Sequence, residues 1–143
     1  MILDVLTQHA EEAAFLWTLR DRAVSAAHFT LTRLTDFDDR LEAHLDGLRL
    51  HGEGGWHQTW TALKQLNGPG EAFAAAILSL EGGKREHIEL VLAAVSSQPN
   101  MRRAVVSALG WAPDRVAAAQ IPPLYTHGTP AGRAIGIAAA AVR

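Results

Sequence analysis

Apolar positions recur at helical spacing along most of the chain. Over residues 2–26 the stripe is Val5, Leu6, His9, Ala13, Leu16 and Trp17, with Glu11, Glu12, Thr18 and Arg22 opposite. Steps of three and four residues mark a helix with one apolar face. Residues 27–35 break the pattern: Phe29, Leu31 and Leu34 only partly alternate, and the stretch reads as an extended loop. Thr35-Asp36 then offers an N-cap, with Asp38 and Asp39 in a first turn where the helix dipole favours carboxylates. The helix it opens runs to about Leu50 on Phe37, Leu41, Leu45 and Leu48, and the glycines at 52, 54 and 55 stop it. Trp56, Trp60 and Leu63 carry the next helix, over residues 55–66.

From there the pattern repeats. Helices are predicted over residues 70–81, 85–97 and 100–109, a short one over 114–119, and a last one over 131–142. Pro69, Pro99 and Pro130 fall 30 and 31 residues apart. Each opens a small-residue helix, where proline costs nothing because the first N–H groups have no intrahelical partner. The stripes that follow are Phe73, Ala76, Ile77 and Leu80; then Ala104, Val105, Ala108 and Leu109; then Ala134, Ile135, Ala138, Ala139 and Val142. Short helix pairs of this kind cannot bury both faces alone, so a stack of pairs is expected. The reading is one all-α domain over residues 1–143, a HEAT-like α-solenoid. Residues 1–66 form an N-terminal cap and hairpin, and 67–143 form the repeats. An ordinary bundle of short helices is the competing architecture. Ile121-Pro122-Pro123-Leu124 is expected to be non-helical, and Trp111 to be buried between residues 100–109 and the segment that follows.

Composition narrows the function. The chain has 143 residues, no cysteine and a net charge of −2, so disulfide and thiolate chemistry are absent and general nucleic-acid binding is disfavoured. Residues 1–71 carry a balance of −5 and residues 72–143 a balance of +3, a polarity that could orient a partner. No run reaches the roughly 20 apolar residues that span a bilayer, and the N-terminus has no basic leader, so a cytoplasmic protein without membrane association is expected.

Candidate chemistry is sparse. No nucleophile elbow, phosphate loop, dinucleotide fingerprint or zinc-protease motif occurs. His44, His51 and His57 are too widely spaced along a helix to share a metal ion, and Asp36, Asp38, Asp39 and Glu42 are accounted for by capping and dipole. Neither a metal nor a cofactor is expected. Trp17, Trp56, Trp60 and Trp111 with Arg102, Arg103 and Asp114 raise one enzymatic alternative, the aromatic cleft of HEAT-like DNA glycosylases. Arg102, Arg103 and Arg133 sit near helix N-termini, where the dipole disfavours cations, and are therefore assigned to an edge that meets an acidic protein partner. Residues 131–142 are apolar nearly all round. Ile137, Ala140 and Ala141 are assigned to a surface that stacks on a further repeat or on a second copy of the chain.

Four phrases resemble a family: QHAEEAAFLWTLRDRAV at 8–24, LTDFDDRLEAHLDGLRLHGEGGW at 34–56, GEAFAAAILSLEGG at 70–83 and VSALGW at 106–111. Together they resemble the N-terminal part of an uncharacterised proteobacterial family of HEAT-repeat proteins whose genes are often found near type VI secretion clusters. Beyond Trp111 the resemblance fades to generic repeat character. Family members are longer, so the chain reads as a short or C-terminally truncated member. The resemblance carries no catalytic residue. It implies a non-enzymatic scaffold or adaptor for a secretion component or effector, with an immunity or effector-binding role as a variant of the same idea.

Overall fold

A computed structural model describes residues 1–28 and 30–143, with the side chain of His127 also outside the description. Phe29, part of the expected loop, therefore lies outside the described residues. The described chain forms eight helices: α1 (Ile2–Val24), α2 (Leu31–Arg49), α3 (Glu53–Leu66), α4 (Pro69–Gly82), α5 (Arg85–Val95), α6 (Pro99–Trp111), α7 (Asp114–His127) and α8 (Pro130–Val142). The fold is all-α, and among the described residues no helix is long and apolar enough to cross a membrane.

The three prolines spaced about thirty apart open α4, α6 and α8 at their first turns. Those helices lie beside one another, and α1 extends the row at the α4 end, in the order α1, α4, α6, α8. The other helices lie against this row. α2 packs on α1, α3 on α1 and α4, α5 mainly on α4, and α7 mainly on α8.

α4 is the centre of the core. Every residue from Gly70 to Leu80 except Glu71 is buried, as expected of a helix that is apolar on all sides. Its small residues allow close approach. A Cβ at Gly70 would run into the carbonyl oxygen of Ala14 on α1, so only glycine permits this crossing. Phe73 stacks on Trp17, with ring centroids 5.4 Å apart, and meets Trp111 edge-on at 5.9 Å. Aromatic pairs of this kind are worth about 0.5–1.5 kcal/mol beyond the area they bury.

Two local expectations are overturned. α2 begins at Leu31, and its cap is Thr30, whose hydroxyl accepts the Arg33 N–H at 3.2 Å. Thr35 lies inside the helix with its hydroxyl turned back to the Leu31 carbonyl, so Asp38 and Asp39 are not in the first turn. The second correction is α7, which continues through Pro122 and Pro123. The carbonyls that lose a donor are four residues earlier, at Ala118 and Ala119, and both residues are exposed. Water can satisfy those oxygens, while Ile121 and Leu124 stay buried and hold the helix on course.

Candidate interaction surfaces

A groove of about 790 Å³ lies between α5 and α7. One wall is the outer face of α5, with Ile88 and Leu92. The other is the second half of α7, with Pro123 and Leu124, and Leu80 of α4 also lines it. α5 follows its period faithfully: Val91 and Val95 turn into the core, while Ile88 and Leu92, a few residues round the helix, are only partly covered. Apolar side chains are thus left facing the groove. The ionic groups in its lining are Arg85 and Glu89, paired with each other at 3.7 Å.

At one end of the groove lie Ser96, which follows α5, and Gly128, which follows α7. The Ser96 carbonyl accepts Nη1–H of Arg102 at 2.7 Å, and the Gly128 carbonyl accepts Nη1–H of Arg133 at 2.8 Å. Both arginines stand three residues after the proline that opens their own helix, and each closes the end of the helix before it. Their charges therefore meet the negative end of a neighbouring dipole as well as the positive end of their own. Position 72, the corresponding place in α4, is alanine. There the preceding helix closes without help, on a left-handed Asn67 (φ 50°) whose N–H bonds the Leu63 carbonyl.

Arg103 points elsewhere. Its guanidinium makes two 2.6 Å bonds to the carboxylate of Asp21 on α1 and lies over the Trp17 ring at 5.9 Å. The hydrogen bonds from Arg103 hold the Asp21 carboxyl below its usual range. All three arginines thus have partners inside the chain. The premise that stability leaves them unexplained is corrected by these contacts.

On α8, Gly132, Ile135, Gly136 and Ala139 are buried, whereas Ile137, Ala140 and Ala141 are exposed. Ile137 is 63 % exposed and Val142 is 65 % exposed. The stripe expected from Ala134 through Val142 is split, because Ala134 and Ala138 also face outward. Gly136 sets the packing: a Cβ there would come within 2.8 Å of the Leu124 Cβ.

Other polar groups hold helices together. Arg49 joins Glu42 and Asp46 on its own helix to Glu81 on α4. Burial alone would lower its pKa, but the bonds to Glu81, Asp46 and Glu42 outweigh that and raise it. Glu42 also accepts the Trp111 indole N–H. Asp38 pairs with Arg20, which also lies over the Trp111 ring at 5.3 Å. Trp111 is half-buried and turns back toward α1, α2 and α4, not toward the following segment as the sequence suggested.

The histidines regroup as well. His44 meets His9 of α1, with the Nδ1 atoms 2.9 Å apart, while His51 and His57 are exposed. Among the described residues no group of three or more His, Asp or Glu could hold a metal ion. The tryptophans fall into two sets. Trp17 is buried, donates to Ser107 at 3.0 Å and stacks on Phe73, and Trp111 shares that ring. Trp56 stacks between Trp60 and His87 on the α3–α5 side. Asp114 is exposed and pairs with Arg143. None of the protein-family models, curated proteins or solved structures compared with this chain matches it.

Proposed function

We propose that the chain is a helical-repeat scaffold that binds another protein and has no catalytic role. The single observation that carries this reading is the groove between α5 and α7, a largely apolar surface on a folded chain. Apolar grooves receive helices or extended segments of partners. The side-by-side packing of the proline-opened α4, α6 and α8 supports a HEAT-like solenoid with α1 and α2 at its head. The resemblance to proteobacterial HEAT-repeat proteins encoded near type VI secretion genes supports a partner among secretion components, effectors or immunity proteins.

Photo-crosslinking in the cell of origin tests the reading. A photoreactive residue at Leu92 would report on the groove, one at Ile137 on the outer face of α8, and one at exposed Thr32 would serve as the control. A discrete heterologous adduct from Leu92 or Ile137 and none from Thr32 is the expected result. Adducts that are the same at all three positions, or absent at all three, rule the scaffold reading out.

A second reading concerns self-association. The 63 % exposure of Ile137 on a helix with Arg133 as its one charged residue favours pairing of α8 with a second copy.

A further inference from the structure

We propose that the α5–α7 groove seats an amphipathic helical segment of a partner protein whose carboxylates lie at the end facing Arg102 and Arg133. The proposal rests on the protein-binding reading above and adds the chemistry of the partner. Two features of the groove combine. Its walls are apolar along α5, whose 11 residues extend about 16 Å at the helical rise. At its Ser96–Gly128 end, just outside the lining, stand two guanidinium charges, which exceed the partial negative charges of the α5 and α7 C-termini that they meet. Both carbonyls there hold a guanidinium, and the N-cap and first residues of α8, Thr129 to Ala131, also line the groove with the positive pole of their helix. Among the described residues neither arginine pairs with a carboxylate. A guanidinium has five N–H donors in a fork that matches a carboxylate, and each carbonyl occupies one nitrogen.

The charges lining the rest of the groove cancel, because Arg85 and Glu89 pair with each other. An entirely apolar segment would leave the electropositive end unanswered, and a basic one would be repelled. Nucleic acid would need a row of cations along the walls, where the groove has Ile88, Leu92, Pro123 and Leu124. A helix with an apolar stripe and an acidic end matches both features.

The test uses three fluorescent peptides of about four turns, sharing one Leu/Ala stripe and ending in two glutamates, two glutamines or two lysines. Fluorescence anisotropy measures their binding to the whole protein. The glutamate peptide is expected to bind at least about five-fold more tightly than the glutamine peptide, as two rim ion pairs allow. That advantage should shrink as salt rises and screens the pairs. Leu92→Glu should abolish binding of the glutamate peptide. The double variant Arg102→Glu/Arg133→Glu should transfer the preference to the lysine peptide.

If that double variant does not fold, the salt titration of the unaltered protein decides. Equal affinity of the glutamate and glutamine peptides at low salt overturns the proposal. So does failure of all three to bind, or a homodimer that Leu92→Glu dissociates, which would mean that a second copy fills the groove. Crosslinking from Leu92 or Ile137 in cells together with indifferent peptides would sink this proposal and leave the scaffold reading intact.

Discussion

The indole Nε1–H of Trp111 donates to a carboxylate oxygen of Glu42 at 2.7 Å, tying the last residue of α6 to the middle of α2. The same carboxylate holds Arg49, which reaches on to Glu81 of α4. Three helices, α2, α4 and α6, are thus joined through the Glu42–Arg49 pair. Trp111→Phe keeps the edge contact with Phe73 and loses the bond, at an expected cost of about 1 kcal/mol. Trp111→Ala also loses a half-buried ring, for about 2–4 kcal/mol. Urea unfolding of both variants separates the contributions. Equal midpoints for the two would mean that the ring adds nothing beyond its N–H.

His44 gives the fold a mild sensitivity to acid. Its pKa is lowered from 6.5, first by burial and then by His9, with Arg40 acting the same way and Glu12 opposing them. A lowered histidine pKa means that the folded state takes up its proton later than the unfolded state. The histidine therefore costs nothing above about pH 6.5, and its destabilising effect grows as pH falls from there through the folded value. Urea midpoints between pH 7.5 and pH 5 should fall less steeply in His44→Asn than in the unaltered protein. Parallel curves would show that the imidazole pair is not the source.

Two glycines of α4 should respond with opposite signs. Gly70→Ala drives a methyl group into the backbone of α1 and is expected to cost about 1–3 kcal/mol or more, as overpacked cores do. Gly82 has nothing within 4 Å of where its Cβ would stand. Gly82→Ala should be neutral or stabilising by up to about 1 kcal/mol from helix propensity. Thermal melts of the pair check the α1–α4 crossing directly. A harmless Gly70→Ala would mean that the two helices lie further apart than described.

The outer face of α8 predicts association. Sedimentation velocity over a range of concentrations should show a growing dimer, and Ile137→Glu should abolish it without lowering the melting temperature. A monomer at every concentration, indifferent to Ile137→Glu, removes α8 from any interface between copies.

The legible parts of this fold were those encoded locally. Proline at a first helical turn is satisfied by its own helix, so Pro69, Pro99 and Pro130 announced α4, α6 and α8 without knowledge of the neighbours. Thr30 is not legible as a cap because the apolar residues after it suggest alternation, and a cap is recognised only once the helix it opens is. The diproline misled because the cost of a missing N–H depends on whether the orphaned carbonyl reaches water, which is a property of the packing. The sequence sets Arg102 and Arg133 only against the helix they stand on, whereas their partners belong to the helix before. His9–His44 and Trp17–Ser107 span 35 and 90 residues, and no spacing rule connects such pairs. The groove was the least legible feature, since it is a gap between helices that are not consecutive.

Burial of α4 on every side also sets a clock. Its amide protons can exchange with deuterium only when the helices around it come away together, so they should be the last in the chain to do so and should report the free energy of global opening. The amides of α8, with one face bare, exchange through smaller and more frequent openings. A single labelling time course would therefore read the order in which the chain comes apart, beginning at the C-terminal hairpin and ending at the helix that Pro69 opens.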